Sequence, residues 1–181
     1  TTSGVFTLPN ASTFTKSGGG TFTVNANWNA GTTSTMSVLG GTLVISPTSG
    51  AGSVNLTASN AGGTYVGDVI VDNAGFSWIH FPNAATISGG GKIKLRSNPA
   101  FISLEQNGSY NVVIDNEIVL NPDNVPSSFQ GNIGADGGKS LTLGVVSGNA
   151  KVNFTGSTIS AGSGTVLLNG HMTYTGQTTI N

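Results

Sequence analysis

Five charged residues stand close enough together in this sequence to suggest a chemical site. They fall in two sets that alternate with aliphatic residues, so each set lies on one face of a strand: Lys92, Lys94 and Arg96, then Asp115 and Glu117. The two carboxyl groups could act as the acid and base of a glycoside hydrolase. However, the interval from Lys94 to Asp115 equals the interval from Arg96 to Glu117. This equal spacing favours ion pairs between neighbouring strands, so we interpret the residues as a structural charge ladder and predict no catalytic residue.

Three other motifs fall short of a metal or cofactor site. Residues 134–140 resemble a phosphate-binding loop, but Ile133 stands where that pattern needs its first glycine, and no helix is predicted to follow. His80 and His171 are the two histidines and cysteine is absent, which is too few ligands for zinc. Residues 121–124 lack the spaced acidic side chains of a calcium loop. We therefore predict no metal and no cofactor.

Threonine pairs of the form Thr-x-Thr occur at residues 13–15, 21–23 and 173–175. An ordered threonine face of the kind that binds ice would need such a pair in every coil of a repeat. No threonine occurs between Ile87 and Leu141. We interpret the pairs as the ordinary alternation of strands.

The composition excludes several classes of partner. Charged residues make up 7% of the 181 residues, the net charge is −1, and only six residues are Lys or Arg, too few for the basic patch that nucleic acid requires. No apolar run reaches the roughly 18 residues of a membrane helix, so we predict no direct membrane insertion. The sequence begins without a signal peptide, as expected of a mature or excised segment.

Apolar residues alternate with polar ones, and Gly, Asn and Ser recur between the alternating runs, so the sequence predicts strands and no helix. We expect a single all-β domain over residues 1–181, with a loop at residues 121–136 because Pro122 and Pro126 fall there. The predicted strands are residues 5–8, 21–25, 35–39, 42–46, 53–58, 65–71, 76–81, 92–96, 101–104, 111–115, 117–120, 140–146, 151–155, 165–168 and 178–180.

Internal repetition favours a parallel β-solenoid over a sandwich or a barrel. The segment that begins with Gly20 and Thr21 recurs at Gly41 and Thr42, the same interval that separates Lys94 from Asp115, and a third copy begins at Gly164 with Thr165. We therefore predict a coil of roughly 21 residues, a period typical of solenoid repeats. Seven side chains are expected to point inward, with Ile93 stacked on Ile114: Val44, Ile93, Leu95, Val112, Ile114, Ile118 and Leu167.

The repeated segments resemble a known family motif. Residues 15–24 read T-K-S-G-G-G-T-F-T-V, and residues 173–180 read T-Y-T-G-Q-T-T-I, which includes Tyr174, Gly176, Thr178 and Thr179. Together they resemble the passenger-associated repeat of autotransporters, roughly T-K-x-G-x-G-T-L-x-L, then N-T-Y-T-G-x-T-T-I, then G-G-T-L. The first copy departs from this pattern at residues 27–31, and the second copy lacks the T-K-x-G lead-in.

The resemblance implies a right-handed parallel β-helix, here of about eight rungs, in a secreted protein displayed outside the outer membrane of a Gram-negative-type bacterium. We expect a non-enzymatic structural or adhesive segment that associates with itself, end to end into a filament or laterally, or that binds surface glycans or matrix. Two alternatives stay open. The chain could be a carbohydrate-active β-helix of the polysaccharide lyase or hydrolase type, or an inert spacer of a longer passenger.

Overall fold

Short parallel strands of three to six residues build the fold. We describe a computed structural model, which covers residues 4–31, 33–47, 51–55, 63–73, 76–80, 85–97, 101–106, 111–123, 130–135, 137–156 and 164–181. Period-two burial, as in Thr42–Ile45, explains why these residues form strands: Leu43 and Ile45 are buried while their neighbours are not.

The strands, numbered in chain order, form three sheets. In spatial order, the eight-stranded sheet contains β1 (Val5–Leu8), β4 (Asn27–Ala30), β7 (Ala51–Asn55), β10 (Phe76–His80), β13 (Phe101–Gln106), β16 (Gln130–Ala135), β19 (Lys151–Gly156) and β21 (Thr178–Ile180). The seven-stranded sheet contains β2 (Thr13–Lys16), β5 (Thr35–Val38), β8 (Gly63–Tyr65), β11 (Ala85–Ser88), β14 (Val112–Ile114), β17 (Ser140–Leu143) and β20 (Thr165–Leu168). The six-stranded sheet contains β3 (Thr21–Val24), β6 (Thr42–Ile45), β9 (Asp68–Asn73), β12 (Lys92–Ser97), β15 (Glu117–Leu120) and β18 (Val146–Gly148).

The order of the strands makes this fold a solenoid. From β1 to β20, successive strands belong to successive sheets, and β1, β2 and β3 pair in parallel with β4, β5 and β6. The chain therefore winds in coils that stack on one another, and each coil adds a strand to each sheet. The predicted all-β parallel solenoid is confirmed, whereas its right-handed winding and the number of eight rungs stay predictions.

The coils are not of constant length. Thr21 lies opposite Thr42, which confirms the predicted offset between these two copies. At other strands the offset is longer, since Lys92 lies opposite Glu117 and Phe101 lies opposite Gln130, whereas Gln130 lies opposite Lys151 at the predicted offset again. The predicted coil of roughly 21 residues is therefore too short at the strands of Lys92 and Phe101. The strands keep their register while the turns between them vary in length.

Two other predictions about segments are also wrong. Gly164 and Thr165 were expected to repeat the strand of Thr21 and Thr42, but Thr165–Leu168 is a strand of the seven-stranded sheet rather than the six-stranded one. The loop expected at 121–136 is wrong at residues 130–135, which form β16 and pair with β13 and β19 on either side, while residues 124–129 and 136 lie outside the described part of the chain. Alternation is weak there because Gly and Ala occupy positions between larger residues, so the segment did not read as a strand.

The core consists of the inward side chains of the three sheets. Five of the seven expected core residues have no exposed surface, which confirms them: Ile93, Leu95, Val112, Ile114 and Ile118. Two are wrong, because Val44 alternates with the buried Leu43 and Ile45, and Leu167 is 46% exposed.

Stacking within the core also follows the longer coils. Ile93 lies opposite Val69 and Ile118, not opposite Ile114. Ile114 instead lies between Ile87 and Leu143 in the seven-stranded sheet. Each inward aliphatic side chain contributes about 1.5–3 kcal/mol by leaving water, so these axial columns hold the coils together.

Candidate functional site

Most charged side chains of the described residues gather on the outward face of the six-stranded sheet. They belong to β9, β12, β15 and the turn after β15, and they alternate with buried residues such as Val69 and Ile93. We call this set the charged ribbon: Asp68, Asp72, Lys92, Lys94, Arg96, Glu117 and Asp123.

The two lysines of the ribbon pair with carboxylates on opposite sides of β12. Lys92 Nζ lies 2.8 Å from Glu117 Oε2 on β15, and Lys94 Nζ lies 2.6 Å from Asp68 Oδ2 on β9. Glu117 also accepts a hydrogen bond from Ser147 Oγ at 2.6 Å, and Asp68 accepts one from the backbone N–H of Lys92 at 2.9 Å. The neighbouring strands β9, β12 and β15 are thus joined by side chains as well as by backbone.

Arg96 completes the ribbon between two further carboxylates. Its Nη2 donates to Asp123 Oδ1 at 3.2 Å, and its Nε lies 2.5 Å from Asp123 Oδ2 in an ion pair. Its Nη1 is 3.8 Å from Asp72 Oδ2, a looser contact. Asp123 follows Asn121 and Pro122 in the segment considered for calcium. Its carboxylate is bonded to the Arg96 guanidinium instead of belonging to a set of metal ligands.

The predicted charge ladder is therefore wrong in its pairs, although it joins the correct neighbouring strands. Lys94 pairs with Asp68 instead of Asp115, and Arg96 pairs with Asp72 and Asp123 instead of Glu117. The offset from β12 to β15 is longer than the repeats predicted, because Lys92 rather than Arg96 lies opposite Glu117. Asp115 consequently lies in the turn before β15, where it is exposed.

The signal for the missed partners was present in the sequence. Asp68 and Asp72 flank the alternating run of β9, and they precede Lys92 and Arg96 by one common interval, which is the register between β9 and β12. We expected them to be solvated turn residues. Instead, both lie within β9, with Asp68 as its first residue, because the inward Val69 and Val71 fix the strand there.

The pairs hold two carboxylates of the ribbon, those of Glu117 and Asp68, in the ionised form. Hydrogen bonds from Lys92 and Ser147 lower the pKa of Glu117 below its ordinary value. Burial raises the pKa of Asp68, but the hydrogen bonds from Lys94 and from the Lys92 backbone outweigh burial and lower that pKa overall. Glu117 in turn raises the pKa of Lys92. At neutral pH these carboxylates accept hydrogen bonds and carry no proton to donate.

A second surface feature lies on the outward face of the seven-stranded sheet, where hydroxyl side chains form columns. Thr15, Ser37, Thr64 and Ser88 lie opposite one another on four neighbouring strands, β2, β5, β8 and β11. Neighbouring strands are about 4.8 Å apart, so the hydroxyl groups repeat at that interval along the solenoid axis.

A second column, which is not continuous, runs beside it. Thr13 lies opposite Thr35, and Thr86 and Thr142 lie on either side of Val113. The outward residues described on β2, β5, β8 and β11 are all Thr or Ser, and none is charged. We call this set the hydroxyl face: Thr13, Thr15, Thr35, Ser37, Thr64, Thr86 and Ser88.

The Thr-x-Thr pairs of the sequence are distributed over different surfaces. The pair at 13–15 belongs to the hydroxyl face, whereas the pair at 21–23 lies on β3 of the six-stranded sheet. Single Thr and Ser residues complete the columns, and coils of unequal length bring them opposite one another. Sequence reasoning missed this face because it searched for the pair at a constant interval.

An aromatic cluster lies beside the hydroxyl face. Phe14 contacts Phe6, Phe22 and Trp28, with ring centroids 5.0–6.1 Å apart. Phe14 and Phe22 also line an open groove of about 240 Å³ with Thr15, Lys16 and Ser17. Because Trp28 is fully buried, this cluster is mainly a part of the core.

The remaining motif residues serve turns and strand ends. Gly41 has φ +65°, and a Cβ there would overlap the carbonyl oxygen of Gly20, so a glycine is required. A Cβ at Gly176 would overlap Ala150 O. The Tyr174 hydroxyl bonds Thr178 Oγ1 at 2.7 Å across this turn, just before Thr179 continues β21.

The remaining candidate residues from the sequence form no site among the described residues. His171 is exposed, and the side chain of His80 on β10 lies outside the description. Within the described ranges, no three His, Cys, Asp or Glu side chains converge as metal ligands would. In the same ranges, no helix has the length and apolarity needed to cross a membrane. Residues 134–140 join β16 to β17, with position 136 outside the description.

Comparison with known proteins adds no relative. No family model matches this chain, and neither a curated protein nor a solved structure matches it. The resemblance to the autotransporter repeat therefore rests on the repeat residues alone.

Proposed function

We propose that this chain is a non-enzymatic structural and adhesive segment of a bacterial surface protein, and that the hydroxyl face binds neutral surface glycans. The observation that carries the proposal is the uncharged array of Thr and Ser on four neighbouring strands. Each hydroxyl both donates and accepts hydrogen bonds, as the hydroxyl groups of a glycan do. A repeating polymer can therefore bond to many positions of this face at once, which compensates for weak single contacts.

We also propose that the solenoid is a right-handed β-helix of about eight rungs displayed as an autotransporter passenger at the surface of a Gram-negative-type cell. The support is the motif resemblance at residues 15–24 and 173–180. In both segments the motif glycines lie at tight corners between strands, such as Gly18 with φ +75°. A second copy of the chain is an alternative partner, because hydroxyl groups are self-complementary.

The charged ribbon supports a non-enzymatic role over a carbohydrate-active one. A glycosidase acid needs a raised pKa so that it holds a proton at neutral pH, whereas hydrogen bonds lower the pKa of Glu117. If the chain nevertheless cleaves glycans, the polymer will become shorter when it is incubated with the chain, and Glu117→Gln will abolish this cleavage.

The proposal is tested by cosedimentation with insoluble neutral polysaccharides, with charged polysaccharides for comparison. Thr64→Lys and Thr86→Lys place bulky charges on the hydroxyl face, while Thr21→Lys and Thr23→Lys place the same charges on exposed strand positions of the six-stranded sheet. We expect the first pair to lose most of the bound fraction and the second pair to keep it.

Two outcomes would contradict this function. If the unaltered chain binds no polysaccharide, the spacer alternative gains support. If all four variants lose binding equally, the hydroxyl face is not the binding surface. Sedimentation of the chain alone across micromolar concentrations separates the remaining alternative, because self-association raises the sedimentation coefficient without any glycan.

A further inference from the structure

Lys16 is a buried cation that has no carboxylate partner among the described residues. It is 8% exposed, and no other charged residue in the described part of the chain is buried. It ends β2 at an inward position, opposite Val38, which itself lies opposite the buried Tyr65. None of the ion pairs among the described residues includes Lys16. A buried ammonium group is costly unless its donors are bonded, so its surroundings must supply acceptors.

Three backbone carbonyl groups meet this need. Lys16 Nζ donates to Ser17 O at 2.9 Å, to Gly18 O at 2.8 Å and to Gly40 O at 2.9 Å. A lysine ammonium has three donors and no acceptor, so the three contacts use its full capacity. Ser17 and Gly18 belong to the turn between β2 and β3, whereas Gly40 belongs to the matching turn of the next coil. The ammonium thus bridges two coils.

The backbone at this corner shapes the carbonyl cage. Gly18 and Gly41 have φ of +75° and +65°, conformations that other residues rarely adopt. A Cβ on Gly41 would overlap the carbonyl oxygen of Gly20 and press on that of Gly18. The two turns therefore pack backbone against backbone, and their carbonyl oxygens converge on one point.

The same corner recurs further along the solenoid with a different donor. Asn116, 1% exposed, lies between β14 and β15. Its Nδ2 donates to Tyr65 O at 3.0 Å, Gly91 O at 2.7 Å and Gly89 O at 3.3 Å, all at this corner of preceding coils. A neutral amide and an ammonium group each contact three carbonyl oxygens at this corner. The need for a hydrogen-bond donor therefore comes from the backbone arrangement rather than from either side chain.

We propose that the carbonyl oxygens of Ser17, Gly18 and Gly40 form a binding site for a primary ammonium ion, and that the site's resident ligand is the tethered ammonium of Lys16. The trigonal set of acceptors matches the three N–H donors of a primary ammonium and excludes a quaternary one, which has none. Shortening the Lys16 side chain to Cβ opens the site to free alkylammonium ions.

The test uses the Lys16→Ala variant with propylammonium chloride, which restores the three carbons and the nitrogen that the substitution removes. We expect the variant to unfold at a lower Tm than the parent chain. Propylammonium should then raise its Tm in proportion to the logarithm of concentration, as a ligand specific to the folded state does. Tetramethylammonium chloride at equal concentration controls for ionic strength, and Lys151→Ala, which removes an exposed lysine, is the matched variant.

Two results would overturn the proposal. One is an equal response of Lys16→Ala to propylammonium and tetramethylammonium. The other is a propylammonium effect of the same size in Lys151→Ala, because that effect would not arise at the cage.

A measurement on the parent chain covers the case in which Lys16→Ala fails to fold. Amine acylation followed by peptide mass spectrometry reports the reactivity of each lysine. In the folded chain, Lys16 should react roughly tenfold or more slowly than Lys151, because reaction requires local opening of the corner. In denaturant the two rates should become equal. Equal rates in the folded chain would show that the ammonium is not held in a cage.

Discussion

At the scale of the residue, charged side chains in this chain connect one coil to the next. Lys92 reaches forward to Glu117 on β15, and Lys94 reaches back to Asp68 on β9. Lys16 bonds the turns of two coils through carbonyl groups. Charge therefore supports the axial stacking of the solenoid, and the stability of the stack should depend on the ionisation of Glu117 and Asp68.

Acid should weaken the stack through Glu117 and Asp68. Both have a pKa in the folded chain below the ordinary values of 4.5 and 3.8. Their stabilisation is fully present above those values and is lost as the pH falls through the lower folded values. We expect the free energy of unfolding, measured by urea denaturation, to fall below about pH 4.5. Each pair is partly exposed and should account for less than about 1 kcal/mol.

Two variants identify the groups that titrate. Glu117→Gln should lower the stability at pH 7 and reduce the loss in acid. Asp115→Asn is the matched control, since none of the ion pairs among the described residues involves Asp115. Identical profiles for these two variants would show that the charged ribbon does not govern the response to acid.

At the scale of the element, one corner determines how closely the coils approach. Between the seven-stranded and six-stranded sheets, a Cβ at any of several glycines would overlap or press on a carbonyl oxygen of the preceding coil. These are Gly41, Gly67, Gly91, Gly144 and Gly170. The column of glycines lets backbone pack on backbone and keeps the strands on both sides within hydrogen-bonding distance.

A pair of neighbouring glycines tests this role. A Cβ at Gly91 would overlap Gly67 O, whereas a Cβ at Gly90 would have no heavy atom within 4 Å. We expect Gly91→Ala to lower the free energy of unfolding by about 1–3 kcal/mol, as forced overpacking does. Gly90→Ala should be neutral or slightly stabilising, because alanine restricts the unfolded chain. Equal effects of the two substitutions on the thermal midpoint would contradict the close packing of this corner.

The sequence predicted where strands lie better than it predicted which residues of neighbouring strands lie opposite one another. Alternation located β12 and β15 and identified inward residues such as Ile93 and Ile118, because a strand's two faces follow from period two alone. Which strands lie opposite depends on the length of each turn. That length varies between coils, and no local pattern reports it. The same variation misplaced the partner of Lys94 and concealed the hydroxyl face.

The sequence of a short strand does not always determine which of its residues point inward. Val44 was expected inside, but Thr42–Ile45 has apolar residues at three successive positions, so either set of alternate residues could face the core. The preceding turn at Gly41 determines the choice by placing Leu43 inward. Alternation alone places Lys16 on the face of Phe14, but a lysine is not expected to be buried there, because its carbonyl acceptors come partly from the next coil.

At the scale of the whole molecule, the solenoid is a one-dimensional stack. Sheet neighbours come from adjacent coils, so β16 contacts β13 on one side and β19 on the other. In such a stack, stability is close to a sum of terms for each coil and each interface between coils. A complete coil should therefore be removable without loss of the fold, provided that the strands on both sides keep their register.

Deletion of one coil tests this additivity together with the register. Gln130 lies opposite Lys151, so removing residues 130–150 brings β19 into the place of β16, with Phe154 where Ile133 stood. We expect this shortened chain to fold cooperatively, with the circular dichroism of parallel strands and a thermal midpoint below that of the parent. Deleting Asn153 as well removes a residue inside β19, which places the buried Val152 and Phe154 on opposite faces of the strand, since a single-residue slip exchanges the two faces. That variant should not fold. If both deletions fold equally well, the register does not govern the stack; if both fail, the coils are not independent units.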